Sequence, residues 1–289
     1  MQKMNNPTSS QPKNNAQTKV NLPYFDFLLA AFSAGNDALA SSFGRHVHWG
    51  YWPEPKQATL TAEDFAQATE ALSQQICSAA FIHDGMSVLD VGCGFGGTVA
   101  HINENYTAMQ LVGLNLDERQ LQRARTTVNA MPSNQVEFKQ GNACALPFAD
   151  HSFDVVLAVE CIFHFPDRAQ FFKEAYRVLK PNGYLALSDF LPNTRQVPLM
   201  ALKLPGWSFY GQCNLNCDIK DYRQLAEKTQ FAITAERDIT CHTLPTYSYL
   251  RRLALQQKVT LKRAAIETLA IEVLSRLNWV NYYILALQK

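Results

Sequence analysis

The chain has 289 residues, 47% of them apolar and 18% charged, the balance of an ordinary globular protein able to bury a large core. Its 26 basic and 25 acidic side chains leave a formal net charge of +1, so no general field favours nucleic acid or an anionic membrane surface. The seven cysteines are odd in number and scattered from Cys77 to Cys241, which argues against a secreted disulfide scaffold and for reduced thiols.

Residues 1–20 are rich in Asn, Gln, Ser, Thr, Pro and Lys with no apolar run, so they are expected to be a disordered tail, neither signal peptide nor anchor. The early apolar stretch from Phe27 to Phe32 is too short to span a bilayer, and the chain is expected in the cytoplasm without stable membrane insertion. From Pro23 to about His83 the pattern predicts two or three helices, interrupted by the aromatic turn from His46 to Pro53. Thr61 caps the helix that follows that turn, and Glu63 and Asp64 charge its first turn. Residues 21–85 are therefore expected to form an N-terminal helical lid over a core at 86–289.

At Met86 the period changes. Ser87 to Val91 is a short apolar run ending at glycines, as a buried parallel strand should, and similar runs follow at Gln110–Asn115, Val136–Lys139, Asp154–Val159 and Tyr184–Asp189. Helical stretches lie between them, notably Asp117–Val128 and Asp167–Leu179, the second ending at Lys180-Pro181-Asn182-Gly183. Such alternation predicts an α/β fold with a doubly wound parallel sheet. Two late strands, Phe231–Ile239 and Val280–Leu287, bracket a helical insert from Tyr247 to about Leu277, and the segments at about 192–220 and 245–278 are expected to cap the substrate.

The loop Asp90-Val91-Gly92-Cys93-Gly94-Phe95-Gly96-Gly97 joins the first strand to a helix, and its glycines let backbone approach a ligand where a Cβ would collide. Gly92, Gly94 and Gly97 spell G-x-G-x-x-G, so a dinucleotide-dependent oxidoreductase competes. Asp90, two residues ahead of the first glycine, repels a pyrophosphate and suits a cationic ligand part such as the α-ammonium of S-adenosylmethionine. At the end of the second strand Asn115 is placed to hydrogen-bond a ribose diol, the alternative being a surface turn asparagine. Asn142 is a candidate for the adenine edge, with Leu116 and Ala143 on its faces and Gln120 among the expected cofactor contacts.

Three motifs in order carry a more specific likeness: Leu89-Asp90-Val91-Gly92-Cys93-Gly94-Phe95-Gly96, then Leu146-Pro147-Phe148-Ala149-Asp150 running on to Asp154, and Arg177-Val178-Leu179-Lys180-Pro181-Asn182-Gly183. The run from Val88 to Asp189 resembles the class I S-adenosylmethionine-dependent methyltransferases, close to the small-molecule group of ubiquinone/menaquinone, tocopherol, sarcosine and sugar O-methyltransferases. The resemblance implies a seven-stranded Rossmann-like sheet whose last strand runs antiparallel, and that Asp90, Gly92 and Gly94 hold the methionine part. Asn115 and Asn142 stand where the family often has acids.

Methyl transfer needs alignment and a dry site, and a base only where the acceptor carries a proton. His164, after the fourth strand, is the first choice of base, with Asp189 fixing its tautomer in a placement that resembles sugar O-methyltransferases. Its alternative is a histidine that only packs under the next helix. Glu160 is the second choice and also an expected cofactor contact, and relatives that methylate alkenes carry an acid there. The turn resembles the lid of this group, so Tyr51 and Trp52 are expected over the sulfonium or, alternatively, as a staple between lid and core. His46 and His48 resemble half a metal site without a carboxylate, Cys213 and Cys217 lack a second ligand pair, and no metal is expected. Pro205 to Tyr210 and Tyr247 to Leu255 are expected to line an apolar acceptor pocket, with Arg251 and Arg252 either contacting an anionic group or solvated. The sum predicts O- or N-methylation of a small, largely apolar metabolite by a monomer or homodimer, with alkene C-methylation and a non-catalytic binding domain as competing readings.

Overall fold

A computed structural model describes residues 22–193, 209–211, 213–256 and 262–289. The expected tail at 1–20 and Pro205 to Ser208 of the expected acceptor wall lie outside them.

One sheet contains β1 (Ser87–Val91), β2 (Gln110–Asn115), β3 (Gln135–Gln140), β4 (Phe153–Val159), β5 (Leu179–Pro192), β6 (Ala232–Asp238) and β7 (Val280–Gln288) in the order β3-β2-β1-β4-β5-β7-β6. Strands β1 to β5 are mutually parallel, and β7 runs antiparallel to both β5 and β6. The apolar runs mark the centre because parallel strands are covered on both faces: Val88, Leu89, Val155, Val156 and Leu157 are all buried. Each such side chain contributes roughly 1.5–3 kcal/mol.

The covering helices are α1 (Pro23–Ser33), α2 (Asp37–Phe43), α3 (Ala62–Ala79), α4 (Gly97–Asn105), α5 (Glu118–Thr127), α6 (Arg168–Val178), α7 (Ile219–Lys228), α8 (Thr240–Gln256) and α9 (Lys262–Arg276). Their starts are chemically marked: Thr61 accepts from the Asp64 amide, Asp167 from the Gln170 amide, and Asp218 with Asp221 forms a capping box. The helical insert begins seven residues before the expected Tyr247, because Asp238 Oδ1 accepts from the Thr240 amide at 2.9 Å and starts α8 there. The turn expected at Lys180 to Gly183 is drawn into β5, with Asn182 at φ 64°. Among the described residues no helix is long and apolar enough to cross a membrane.

Two features position the site. From β1 the chain moves outward through β2 and β3, then returns to β4 on the other side of β1, which opens a crevice above the carboxyl ends of β1 and β4. Helices α1, α2, α3 and α8 close over that end through their own apolar cluster. Phe65 stacks on Tyr249 with centroids 4.5 Å apart, and Phe25 meets Phe95 edge-on at 5.2 Å, tying α1 to the loop after β1.

Candidate active site

The loop after β1 turns through positive φ at Gly92 (73°), Gly94 (54°) and Gly96 (82°), the last capping α4. A Cβ on Gly92 would stand 2.6 Å from Cys161 Cβ, whereas one on Gly94 would meet only Phe25, 3.7 Å away. The backbone at Gly94 therefore faces open space, a cavity of about 620 Å³. Asp90 lies in its wall at 2% exposure, and burial alone pushes its carboxyl up to about 8.

Gly92, Gly94, Asn115, Leu116, Gln120, Asn142 and Ala143 all line the same cavity. Asn115 Nδ2 donates to Gln120 Oε1 at 3.0 Å while its Oδ1 accepts from the Asp117 amide, so the two amides are fixed relative to each other. Asn142 Oδ1 accepts from the Cys144 amide at 2.9 Å, which leaves its Nδ2 to donate elsewhere. The two guanidinium groups in the wall are engaged by carboxylates, Arg45 by Glu104 and Arg119 by Asp117 and Asp26. An ammonium would draw the buried Asp90 carboxyl into its ionised form and a diphosphate would oppose that ionisation, so this wall fits the ammonium end of S-adenosylmethionine.

A second, apolar cavity of about 130 Å³ adjoins the first and is lined by Tyr24, Trp49, Phe163, Phe190 and Tyr210 among others, with neither lysine nor arginine in its described wall. Glu160 and His164 line both cavities, as do Tyr24 and Val47. Glu160 follows β4 with φ 47°, a strained value for a non-glycine residue, and burial pushes its carboxyl up to about 8. Its Oε1 accepts from the Trp49 amide at 2.6 Å and from the Tyr282 hydroxyl. The His164 ring lies 4.5 Å from that of Phe163 and 6.5 Å from that of Tyr24.

Three expectations are corrected. Asp189 does not serve as the partner of His164: it is fully buried and lines neither cavity. Its Oδ1 accepts from the Phe190 amide at 2.8 Å, and its Oδ2 accepts from the Tyr222 hydroxyl at 2.5 Å with Arg168 3.4 Å away. Tyr51 and Trp52 do not cover the glycine loop. The Tyr51 ring stacks on His242 at 4.6 Å, and the Trp52 indole donates to Asp64 and packs on Phe65, so the staple alternative describes them. His46 does have a carboxylate partner, Glu70, which also binds His101; both contacts are 2.8 Å.

Arg251 is taken up by an ion pair with Glu272 on α9, and Arg252 reaches the Leu60 carbonyl at 3.5 Å. Sequence reasoning missed Tyr24, Phe25, Val47 and Trp49 as cavity walls, and Tyr282 as a partner of Glu160. Val47 and Trp49 carried a signal, as members of the turn from His46 to Pro53.

A family model described as a methyltransferase domain matches residues 89–187. The chain is similar to the methyltransferase GfsG of Streptomyces halstedii, 32% identical over 216 residues that cover 74% of this chain and 76% of that protein. It is also similar to the O-methyltransferase resE of Aspergillus sclerotiorum, 28% identical over 217 residues, 72% of this chain and 77% of the other. In fold it resembles the cyclopropane synthase MmaA2 from Mycobacterium tuberculosis, with a TM-score of 0.74, 20% identity, and 93% and 99% of the two chains covered.

Proposed function

Because the chain belongs to the class I S-adenosylmethionine-dependent methyltransferases, we propose that it methylates a hydroxyl of a small, neutral, largely apolar metabolite, with Glu160 as the general base. One observation carries this reading: Glu160 stands in the wall shared by a larger cavity that fits the cofactor and a smaller, aromatic one. Bound S-adenosylmethionine supplies an electrophilic methyl group on a positively charged sulfur, which leaves with the bonding pair as S-adenosylhomocysteine.

The chain's own residues supply the rest. Asp90 would accept from the α-ammonium, with the main chain at Gly92 and Gly94 holding the amino-acid portion; Asn115 and Gln120 would hold the ribose, and Leu116, Ala143 and Asn142 the adenine. Around the acceptor, Tyr24, Trp49, Phe163 and Phe190 exclude water, and the lack of lysine or arginine in the described wall selects against an anionic group. Glu160 takes the hydroxyl proton as the oxygen gains its methyl group, and His164 contacts the same oxygen and orients it. Glu160 is given the base role because its carboxyl lines both cavities and its Oε1 is held by the Trp49 amide and the Tyr282 hydroxyl. The similarity to resE, an O-methyltransferase by its name, supports oxygen as the acceptor atom.

Alkene C-methylation is a second reading, because a carboxylate among aromatic rings also suits a carbocation. A mass-spectrometric screen decides between them: neutral apolar alcohols gaining one CH₂ unit support O-transfer, and hydroxyl-free alkenes doing so replace it. On an accepted alcohol, Glu160→Gln is expected to lower the rate by roughly 10²- to 10⁴-fold. If Glu160→Gln keeps the full rate, the base assignment is wrong.

A further inference from the structure

The two oxygens of Glu160 are not equivalent. Oε1 receives two donors, the Trp49 main-chain amide at 2.6 Å and the Tyr282 hydroxyl. The same hydroxyl lies 3.1 Å from Ser188 Oγ, and the Glu160 amide in turn donates to Ser188 Oγ at 3.2 Å. Tyr282 is 1% exposed on β7, where it is the register partner of Phe190 on β5, and the two rings meet edge-on at 4.7 Å. Its phenol is thus rigidly aimed, and it lines neither cavity.

We propose that Tyr282 and the Trp49 amide are the positioning groups of Glu160, holding Oε1 and leaving Oε2 to take the acceptor's proton. The inference rests on the base role given to Glu160 above and adds how that base is aimed. Trp49 also lies in the stretch from Arg45 to Trp49 that lines the cavities, and flanking hydrogen bonds pin this stretch: Gly50 N to Thr246 Oγ1 at 3.1 Å and Tyr51 N to Ala68 O at 2.8 Å. The hydrogen bonds that pin this stretch therefore also fix where the Trp49 amide stands relative to Oε1.

Burial holds the Glu160 carboxyl high, the Asp189 charge on β5 adds to that, and the donors to Oε1 favour the ionised carboxylate and offset part of it. The other titratable groups facing it are Tyr24 on α1, Tyr210, Tyr247 on α8, and the neighbouring Cys161 and His164. Loss of the Tyr282 hydroxyl should therefore raise the pH at which Glu160 ionises, by about one unit for one hydrogen bond to a charged group.

The spectroscopic arm of the test needs no acceptor. The protonated carboxyl stretch of Glu160, identified by its loss in Glu160→Gln, is followed by difference infrared spectroscopy across pH in the full chain. Tyr282→Phe is expected to move its midpoint upward by about one pH unit, with S-adenosylhomocysteine affinity by calorimetry unchanged. Replacement of Tyr282 by 3-fluorotyrosine, a stronger donor of the same shape, is expected to move it downward, and decides the matter should Tyr282→Phe fail to bind S-adenosylhomocysteine. An unmoved midpoint in the variant that binds overturns the positioning role and leaves Glu160 as base. Full methyl transfer by Glu160→Gln overturns both.

Discussion

Arg168 Nη2 lies 3.4 Å from Asp189 Oδ2, and the two side chains are only 7% and 0% exposed. The guanidinium also donates to the Asn214 carbonyl at 2.6 Å, so the pair clamps α6 and β5 to the stretch that leads into α7. Removing one partner strands a buried charge, a loss of roughly 3–5 kcal/mol. Arg168→Met is expected to destabilise by that amount in chemical denaturation at pH 7, and Arg168→Met with Asp189→Asn to regain part of it. A single variant as stable as the parent would show that the pair is not a clamp.

Asp90 trades stability for binding. Its carboxyl ionises near 8 in the fold, against 3.8 ordinarily, so the folded protein holds a proton more tightly than the unfolded chain between those values. Stability contributed by this group therefore falls as pH rises through that window. Asp90→Asn is expected to raise the thermal midpoint of the cofactor-free protein at pH 8, to change it little at pH 3, and to abolish the midpoint rise that S-adenosylhomocysteine gives the parent. A retained rise would show that Asp90 does not hold the ammonium.

Gly92→Ala combines two penalties, a side chain at φ 73° and a Cβ placed 2.6 Å from Cys161 Cβ. A cost of about 1–3 kcal/mol is expected in denaturant unfolding, together with at least tenfold weaker S-adenosylhomocysteine binding by calorimetry. Gly85→Ala, also at positive φ but with open space around it, is the comparison. It should carry only the backbone part of the cost and bind normally.

The rate should follow the ionised form of Glu160. With its carboxyl near 8, kcat/KM for an accepted alcohol is expected to rise tenfold per pH unit below that value and to level above it. A profile flat from pH 6 to 9 would assign the proton to another group.

The sheet was readable because each buried parallel strand repeats one chemistry. Val88 to Val91 and Val155 to Val159 stand out as short apolar runs whatever the tertiary context. The glycine loop was readable because unusual backbone demands glycine. Residues with partners far along the chain were not: Asp189 is decided by Arg168 and Tyr222, and Glu160 by Tyr282, 122 positions away. Tyr51 and Trp52 show another limit. Their types fit a lid over a cation, but hydrogen bonds of their amides to Ala68 and His242 set which way the strand of chain turns, and no local pattern encodes that.

The donor that Glu160 receives from position 49 is a peptide group, common to every residue but proline. The indole there shapes the apolar chamber, so its replacement by another ring or an aliphatic chain would alter which molecules are accepted while the proton-handling geometry persists. Substrate preference and reaction chemistry are thus separable at one position, which makes Trp49 a natural point for diversification by evolution or by design.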